Sequence, residues 1–235
     1  MRSSTRLSQP LAAQVYDTLL RMILTLELEP HRMLSEASVS EMLGVSRTPA
    51  REALARLGER RFVDVLPQRG SRVAPLRMAD LERSQFMREA LEVALLRRVM
   101  TLRDRSALVR DLRAEIDTQR LHARRRDAAG FYASDERFHG LIAERVGPAE
   151  LVPELLRIKD HMDRFRHLMV GGVEDLDIVI RQHADIVDAI EDADATRAEA
   201  LLCTHLRRIL SYVDIARERY PWHFESSPAH VGVSP

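Results

Sequence analysis

Cysteine occurs once in this 235-residue chain, at Cys203. A lone cysteine excludes an intrachain disulfide framework and every cysteine-rich zinc module. Lysine is equally scarce: Lys159 stands alone among 36 cationic side chains, a bias that reflects genome composition more than function. No apolar run approaches the roughly 18 residues that span a bilayer. The opening MRSSTRLSQPLAAQ lacks the apolar core and cleavage pattern of a secretory signal. The expectation is a cytoplasmic protein with no membrane partner. Net charge is absent overall, at +0, but it is unevenly spread. Residues 1–77 hold 12 Arg against 8 carboxylates, and residues 78–235 hold 24 cations against 28. A basic front and an acidic rear suit a DNA-binding head on a body that avoids DNA. What is present is enough apolar material for packed cores, 45% of residues, in a length that suits one large domain or two small ones.

Three helical segments open the chain. QPLAAQVYDTLLRMILTLEL places Leu11, Val15, Leu19, Ile23 and Leu26 near helical period, with Pro30 as its stop. LSEASVSEMLG follows, with Ser35 to cap it and Gly44 to end it. RTPAREALARLGERR is the third, with Thr48 as N-cap and Pro49 in the first turn. FVDVLPQRGSRVAPL then changes period, with Phe62, Val63 and Val65 leading into a turn at Gln68-Arg69-Gly70 and a return through Val73. That pattern is a β-hairpin. Helix, helix, short turn, helix and hairpin make a winged helix-turn-helix, whose third helix enters the major groove. Arg47 and Arg51 are then placed for bidentate contacts to guanine, and Thr48 with neighbouring backbone N–H groups for phosphates. Arg69 and Gly70, at the hairpin tip, would reach the minor groove or the backbone. Leu43, Val45, Ala53, Leu54 and Leu57 are assigned to the small core of this head.

From Met78 to about Tyr220 only helical period remains, in six segments: 79–103, 106–127, 130–146, 149–170, 175–192 and 194–219. Short separators such as Gly147-Pro148, Gly171-Gly172 and Asp192 to Asp194 make neighbouring helices antiparallel. The fold class expected is mainly α: a winged helix-turn-helix over 1–76 and an all-α antiparallel bundle of six to seven helices over 77–220. PWHFESSPAHVGVSP, residues 221–235, has no periodicity and is expected to be a mobile tail.

Within the bundle, Asp135 and His139 in SDERFHG lie four apart on one helical face, close enough to share an ion. His183 and His205 lie 11 residues to either side of position 194, the centre of the last interhelical turn. In an antiparallel pair they meet at one level, each about 16 Å from the turn. Were the two pairs to meet, one Asp and three His would form a site competent for Zn, Ni or Mn. Three imidazoles and a carboxylate saturate a tetrahedral ion but leave an octahedral one two open positions. Without an ion, the same residues would be an ordinary buried polar cluster.

LSEASVSEMLGVSRTPAREALARLGERRFVDVLPQRGSRV resembles the DNA-binding domain of GntR-family bacterial transcription regulators, and the helical remainder resembles the FCD effector domain of the FadR-like subfamily. The resemblance implies a homodimer on double-stranded operator DNA. It also implies a divalent metal, Zn first with Ni or Mn as alternatives, held by Asp135, His139, His183 and His205 as a platform for a small organic acid effector. Arg88, in FMREALE, matches a family arginine that could pair with the effector's carboxylate, while its simpler reading is an ion pair with Glu92 at i+4. Some relatives carry a base-reading arginine early in the second helix where this chain has Ala37, so an operator sequence does not transfer. Two rival readings stand beside the sensor. A metalloenzyme in a helical bundle lacks an evident general base, because Glu136 points about 100° away from Asp135 around the helix, and it leaves the head unexplained. A DNA-binding protein with a purely structural metal is harder to set aside; His161 and His167 are further candidates to support the ligands.

Overall fold

The computed structural model describes residues 10–169 and 175–225. The chain divides into two compact units: a head that runs to Asp80 and takes up the chain again from Arg217, and a body from Leu81 to Ala216.

The head begins with α1 (Leu11–Leu24), which buries Val15, Tyr16, Leu19 and Ile23. The helix stops six residues before Pro30. The Thr25 hydroxyl turns back onto the Arg21 carbonyl at 2.9 Å, and Leu26 adopts a left-handed φ of 62°. Leu28 then fills the core position expected of Leu26. Helix α2 (Glu36–Leu43) carries a capping box in which Ser35 Oγ accepts from Ser38 N at 3.0 Å and Ser35 N donates to Ser38 Oγ at 2.8 Å. Gly44, at φ 67°, ends it in the left-handed conformation that glycine adopts without a Cβ penalty. Helix α3 (Arg47–Glu59) starts earlier than expected, with Ser46 rather than Thr48 at the cap; Thr48 lies inside the first turn.

Strands β2 (Val63–Leu66) and β3 (Gly70–Val73) form the expected hairpin, and β1 (Met33–Leu34) adds an outer strand, giving the order β1-β3-β2, all antiparallel. The pair formed by β1 was not expected: two residues, one of them exposed, carry no period. Ala53, Leu54 and Leu57 of α3 pack on α1 and Phe62, as expected, and Ala50 joins them, while Leu43 and Val45 sit at the edge of this core.

The expected mobile tail is corrected for residues 221–225. Pro221–His223 form a 3-10 turn, and Phe224 is buried beside Leu76. Leu76 N donates to the His223 carbonyl at 2.8 Å, and Glu225 N donates to the Leu76 carbonyl at 2.9 Å. Arg77 closes the strap, 2.8 Å from Glu225 Oε1 and 2.8 Å from Asp64 Oδ1. The rest of the expected tail, 226–235, and the Gly171-Gly172 separator lie outside the described residues.

The body consists of α4 (Met78–Met100), α5 (Ser106–Arg125), α6 (Ala128–Val146), α7 (Leu151–Met169), α8 (Leu176–Glu191) and α9 (Ala195–Arg207). The last expected helix is broken: a 3-10 segment, Arg208–Tyr212, separates α9 from α10 (Val213–Arg219). Asp127, Asp175 and Asp194 cap α6, α8 and α9 by accepting from first-turn N–H groups. Helix α5 packs against α6 and α8, α8 against α9, and α6 against α7. One apolar core runs through them, from Leu96 and Val99 to Ile186, Ile190 and Leu202. No described helix is long and apolar enough to cross a membrane.

Candidate metal centre and nucleic-acid interface

Asp135 and His139 on α6, His183 on α8 and His205 on α9 meet inside the body, and each offers one ligand atom within 4.8 Å of the others. All four are buried. His205 Nε2 lies 3.2 Å from His183 Nε2 and 3.2 Å from His139 Nε2. Asp135 Oδ1 lies 3.5 Å from His183 Nε2 and 3.9 Å from His139 Nε2. One ion with metal–nitrogen bonds of about 2.0–2.1 Å holds neighbouring nitrogens about 2.9–3.4 Å apart, for angles from octahedral to tetrahedral. The donors present fit a divalent ion.

The far side of each ring shows why these contacts are not hydrogen bonds. His183 Nδ1 lies 2.8 Å from Gln119 Oε1, and Gln119 is oriented by its Nε2, 3.4 Å from the Ser134 carbonyl. His205 Nδ1 lies 3.1 Å from Gln182 Oε1. His139 Nδ1 lies 2.6 Å from Glu92 Oε2. Each Nδ1 therefore faces an oxygen that only accepts, so the ring proton belongs there. That leaves three Nε2 lone pairs pointed at one another, an unfavourable arrangement that a cation reverses. Asp135 Oδ2 is held by Arg166 at 2.9 Å, and Phe138 stacks on His183 with ring centroids 4.1 Å apart. Such supports fix tautomer and orientation in metal sites.

Burial pushes the free imidazoles toward neutrality. His183 is pushed down to about 3, His205 falls well below its ordinary value beside the other two rings, and His139 is lowered although Glu92 opposes this. Burial would raise Asp135, but the charges of Arg166, His139, Lys159 and His183 hold it well below the usual carboxylate range. The donor set is thus in its ligating form near neutral pH. A stability effect follows in the metal-free protein. Below the ordinary imidazole value of about 6.5, the unfolded chain takes up protons that the folded body refuses, so stability present above that pH is lost as pH falls toward 3. Urea unfolding of chelator-treated protein is expected to weaken between pH 7 and pH 5, by up to about 1.4 kcal/mol per pH unit for each buried imidazole. A flat profile across that window would contradict the protonation states assigned here.

Arg88 realises its simpler reading, because Nε donates to Glu92 Oε1 at 2.6 Å. The pair is buried, and one terminal nitrogen of Arg88 has no hydrogen-bond partner. Glu92 touches both Arg88 and His139, so the arginine and the metal donors belong to one network. His167 Nδ1 contacts the Asp163 carbonyl at 2.8 Å. Sequence reasoning missed Glu92, Gln119, Gln182 and Arg166 as supports. A signal existed for Gln119, an amide on the buried Leu112, Ile116 stripe of α5.

In the head, Arg47, Thr48 and Arg51 are exposed on the first turns of α3, opposite the buried Ala50, Ala53 and Leu57. Arg51 and Gly70 line one groove of about 570 Å³ between the start of α2, α3 and the hairpin, with Ala37 on the same wall. Gln68, at φ 59°, and Gly70, at φ 87°, make the turn that exposes Arg69. Arg47, Arg51 and the hairpin tip are all open to a partner.

Comparison with known proteins agrees with this division. Residues 11–73 match the family model for bacterial regulatory proteins of the gntR family, and residues 85–208 match the FCD domain. The chain is 31% identical over 220 residues to the HTH-type transcriptional repressor RspR of Escherichia coli K12, covering 93% of this chain and 96% of that one. It is 34% identical over 222 residues to an uncharacterized HTH-type transcriptional regulator of Streptomyces ambofaciens, covering 93% and 92%. Among solved structures, McbR/YncC of E. coli shares the fold with a TM-score of 0.69 at 19% identity, over 90% of this chain and 99% of that one.

Proposed function

The chain belongs to the GntR family of bacterial transcription regulators, with an FCD domain as its body, and from that premise we propose that it is a metal-dependent sensor of a small organic acid. The head binds operator DNA as half of a homodimer, because a palindromic site needs a two-fold protein. Arg47 and Arg51 read bases, Thr48 contacts phosphate, and Arg69 with Gly70 reach the minor groove or backbone. In the body, Asp135, His139, His183 and His205 hold one divalent ion, Zn first with Ni or Mn as alternatives. When bound, the ion supplies a Lewis-acidic anchor for a carboxylate. Arg88 supplies the second, through the nitrogen that Glu92 leaves free.

The observation that carries this reading is the convergence of three imidazole Nε2 atoms whose Nδ1 partners are all acceptors. A structural metal alone would leave the buried, half-engaged Arg88 without a purpose. Regulation then requires the acid to bind two arrangements of the protein unequally. The test is operator affinity, on a site selected from random DNA, with and without metal and a panel of small carboxylates. At least one acid is expected to shift affinity by about 5–150-fold, in either direction, only in metal-loaded protein. Affinity indifferent to every acid, with chelation simply unfolding the body, would assign the metal to structure instead.

A further inference from the structure

Between α6 and α7 lies a cavity of about 230 Å³ whose wall includes His139, Glu136 and Lys159, faced by Val152, Leu155 and Leu156. Its size is below the roughly 300–1,000 Å³ of drug-sized sites and suits a small metabolite. Lys159 is the chain's single lysine. It sits on the buried stripe Leu155, Lys159, Met162 of α7 and is only 1% exposed. Its Nζ makes no hydrogen bond among the described residues; the nearest carboxylate, Glu136 Oε1, is 3.8 Å away. An ammonium has three donors, and burying one without partners is strongly unfavourable. The other cation on the wall, Arg137, is already engaged with Glu144 at 2.6 Å. Lys159 is therefore the cation left for an occupant, and His139 ties the same cavity to the metal donors.

We propose that this cavity receives the far end of the effector, that Lys159 pairs there with a second carboxylate, and that the effector is accordingly a small dicarboxylate. The inference rests on the acid-sensing reading above and adds the class of acid. With one acid group at the metal and Arg88, the second reaches Lys159 across the apolar wall, where a monocarboxylate of the same length would leave the ammonium unanswered. Lys159 sets specificity here; it is not a metal donor.

The test uses metal-loaded, full-length protein titrated with matched acids: malonate against propionate, succinate against butyrate, glutarate against valerate. At least one dicarboxylate is expected to bind ten-fold or more tightly than its partner. Lys159→Met should reduce that preference to threefold or less while leaving monocarboxylate affinity and metal stoichiometry unchanged. Glu136→Gln, which removes the competing carboxylate, should tighten the dicarboxylate. Lysine-selective ¹⁵N labelling of the wild type gives one side-chain amine resonance, which should move with the dicarboxylate and not with the monocarboxylate; this readout decides even if Lys159→Met fails to fold. Monocarboxylate binding without preference in any pair, a preference that survives Lys159→Met, or an amine resonance that stays still overturns this inference alone. Binding of no acid at all overturns the acid-sensing reading together with it.

Discussion

Operator binding is expected to collapse in Arg47→Ala/Arg51→Ala, with each substitution contributing about 1–3 kcal/mol if each side chain reads a base. Both arginines are exposed, and α3 keeps its place through Ala50, Ala53, Leu54 and Leu57 on the opposite side, so the fold should be unaffected. Two quantities separate base reading from phosphate contact. A base-reading arginine changes the ratio of specific to non-specific affinity, whereas a phosphate contact weakens all sequences alike and lowers the salt dependence by about one ion. Thr48→Ala should show the second behaviour at smaller amplitude. Equilibrium binding to selected operator and to scrambled DNA, across a salt series, measures both. An unchanged specificity ratio in the double variant would remove Arg47 and Arg51 from base recognition.

The second large effect lies in the body. Asp135→Asn/His139→Gln is expected to abolish tight metal binding and with it the stabilisation that metal gives. At a thousandfold excess over its dissociation constant, a ligand specific for the folded state stabilises by about 4 kcal/mol. Wild-type protein should gain roughly that on metal addition and the variant none. Near-isosteric substitutions are preferable to alanine here. Asp135 is the partner of Arg166 at 2.9 Å, and His139 leans on Glu92 at 2.6 Å, so truncation would add cavities to lost charges. A variant that unfolds at the same urea concentration as metal-free wild type, yet gains nothing from metal, separates the loss of ligands from a general defect. A full metal-dependent gain in the variant would mean that the ion binds elsewhere.

Most of the helices were legible because their apolar residues recur at helical spacing and their ends carry explicit signals. Ser35 and Gly44 bound α2 as expected, and the turn between Asp192 and Asp194 sets His183 and His205 at one level. What local pattern could not reveal depended on distant partners. The two residues of β1 are a strand only because β3 passes beside them. PWHFE looks like tail because it has no period, but Phe224 finds its burial at Leu76, far back in the chain. The end of α1 was misplaced because Pro30 is a louder signal than the Thr25 hydroxyl that turns back a turn earlier.

The site divides in the same way. The meeting of its four side chains was legible in part: spacing pairs Asp135 with His139 and His183 with His205, and the FCD resemblance implied that the two pairs share one site. The groups that orient them were harder to read, because Gln119 reaches His183 across 64 residues and only its place on the buried stripe of α5 sets it apart from an ordinary glutamine. Lys159 is the sharpest case. As a sequence feature it was a by-product of composition; in the structure it is a buried amine beside a cavity, with no hydrogen bond among the described residues and Glu136 Oε1 3.8 Å away.

An ion in the body would be the sensor's trigger, and the measurement that reaches it first is elemental analysis of full-length protein loaded in turn with Zn, Ni and Mn and then dialysed, beside Asp135→Asn/His139→Gln treated identically. The arrangement of Asp135, His139, His183 and His205 predicts one metal per chain in the wild type and none in the variant. Metal-free protein after every loading, or equal metal in both, would reduce the four residues to a buried polar cluster and leave the regulator without the trigger assigned to it here.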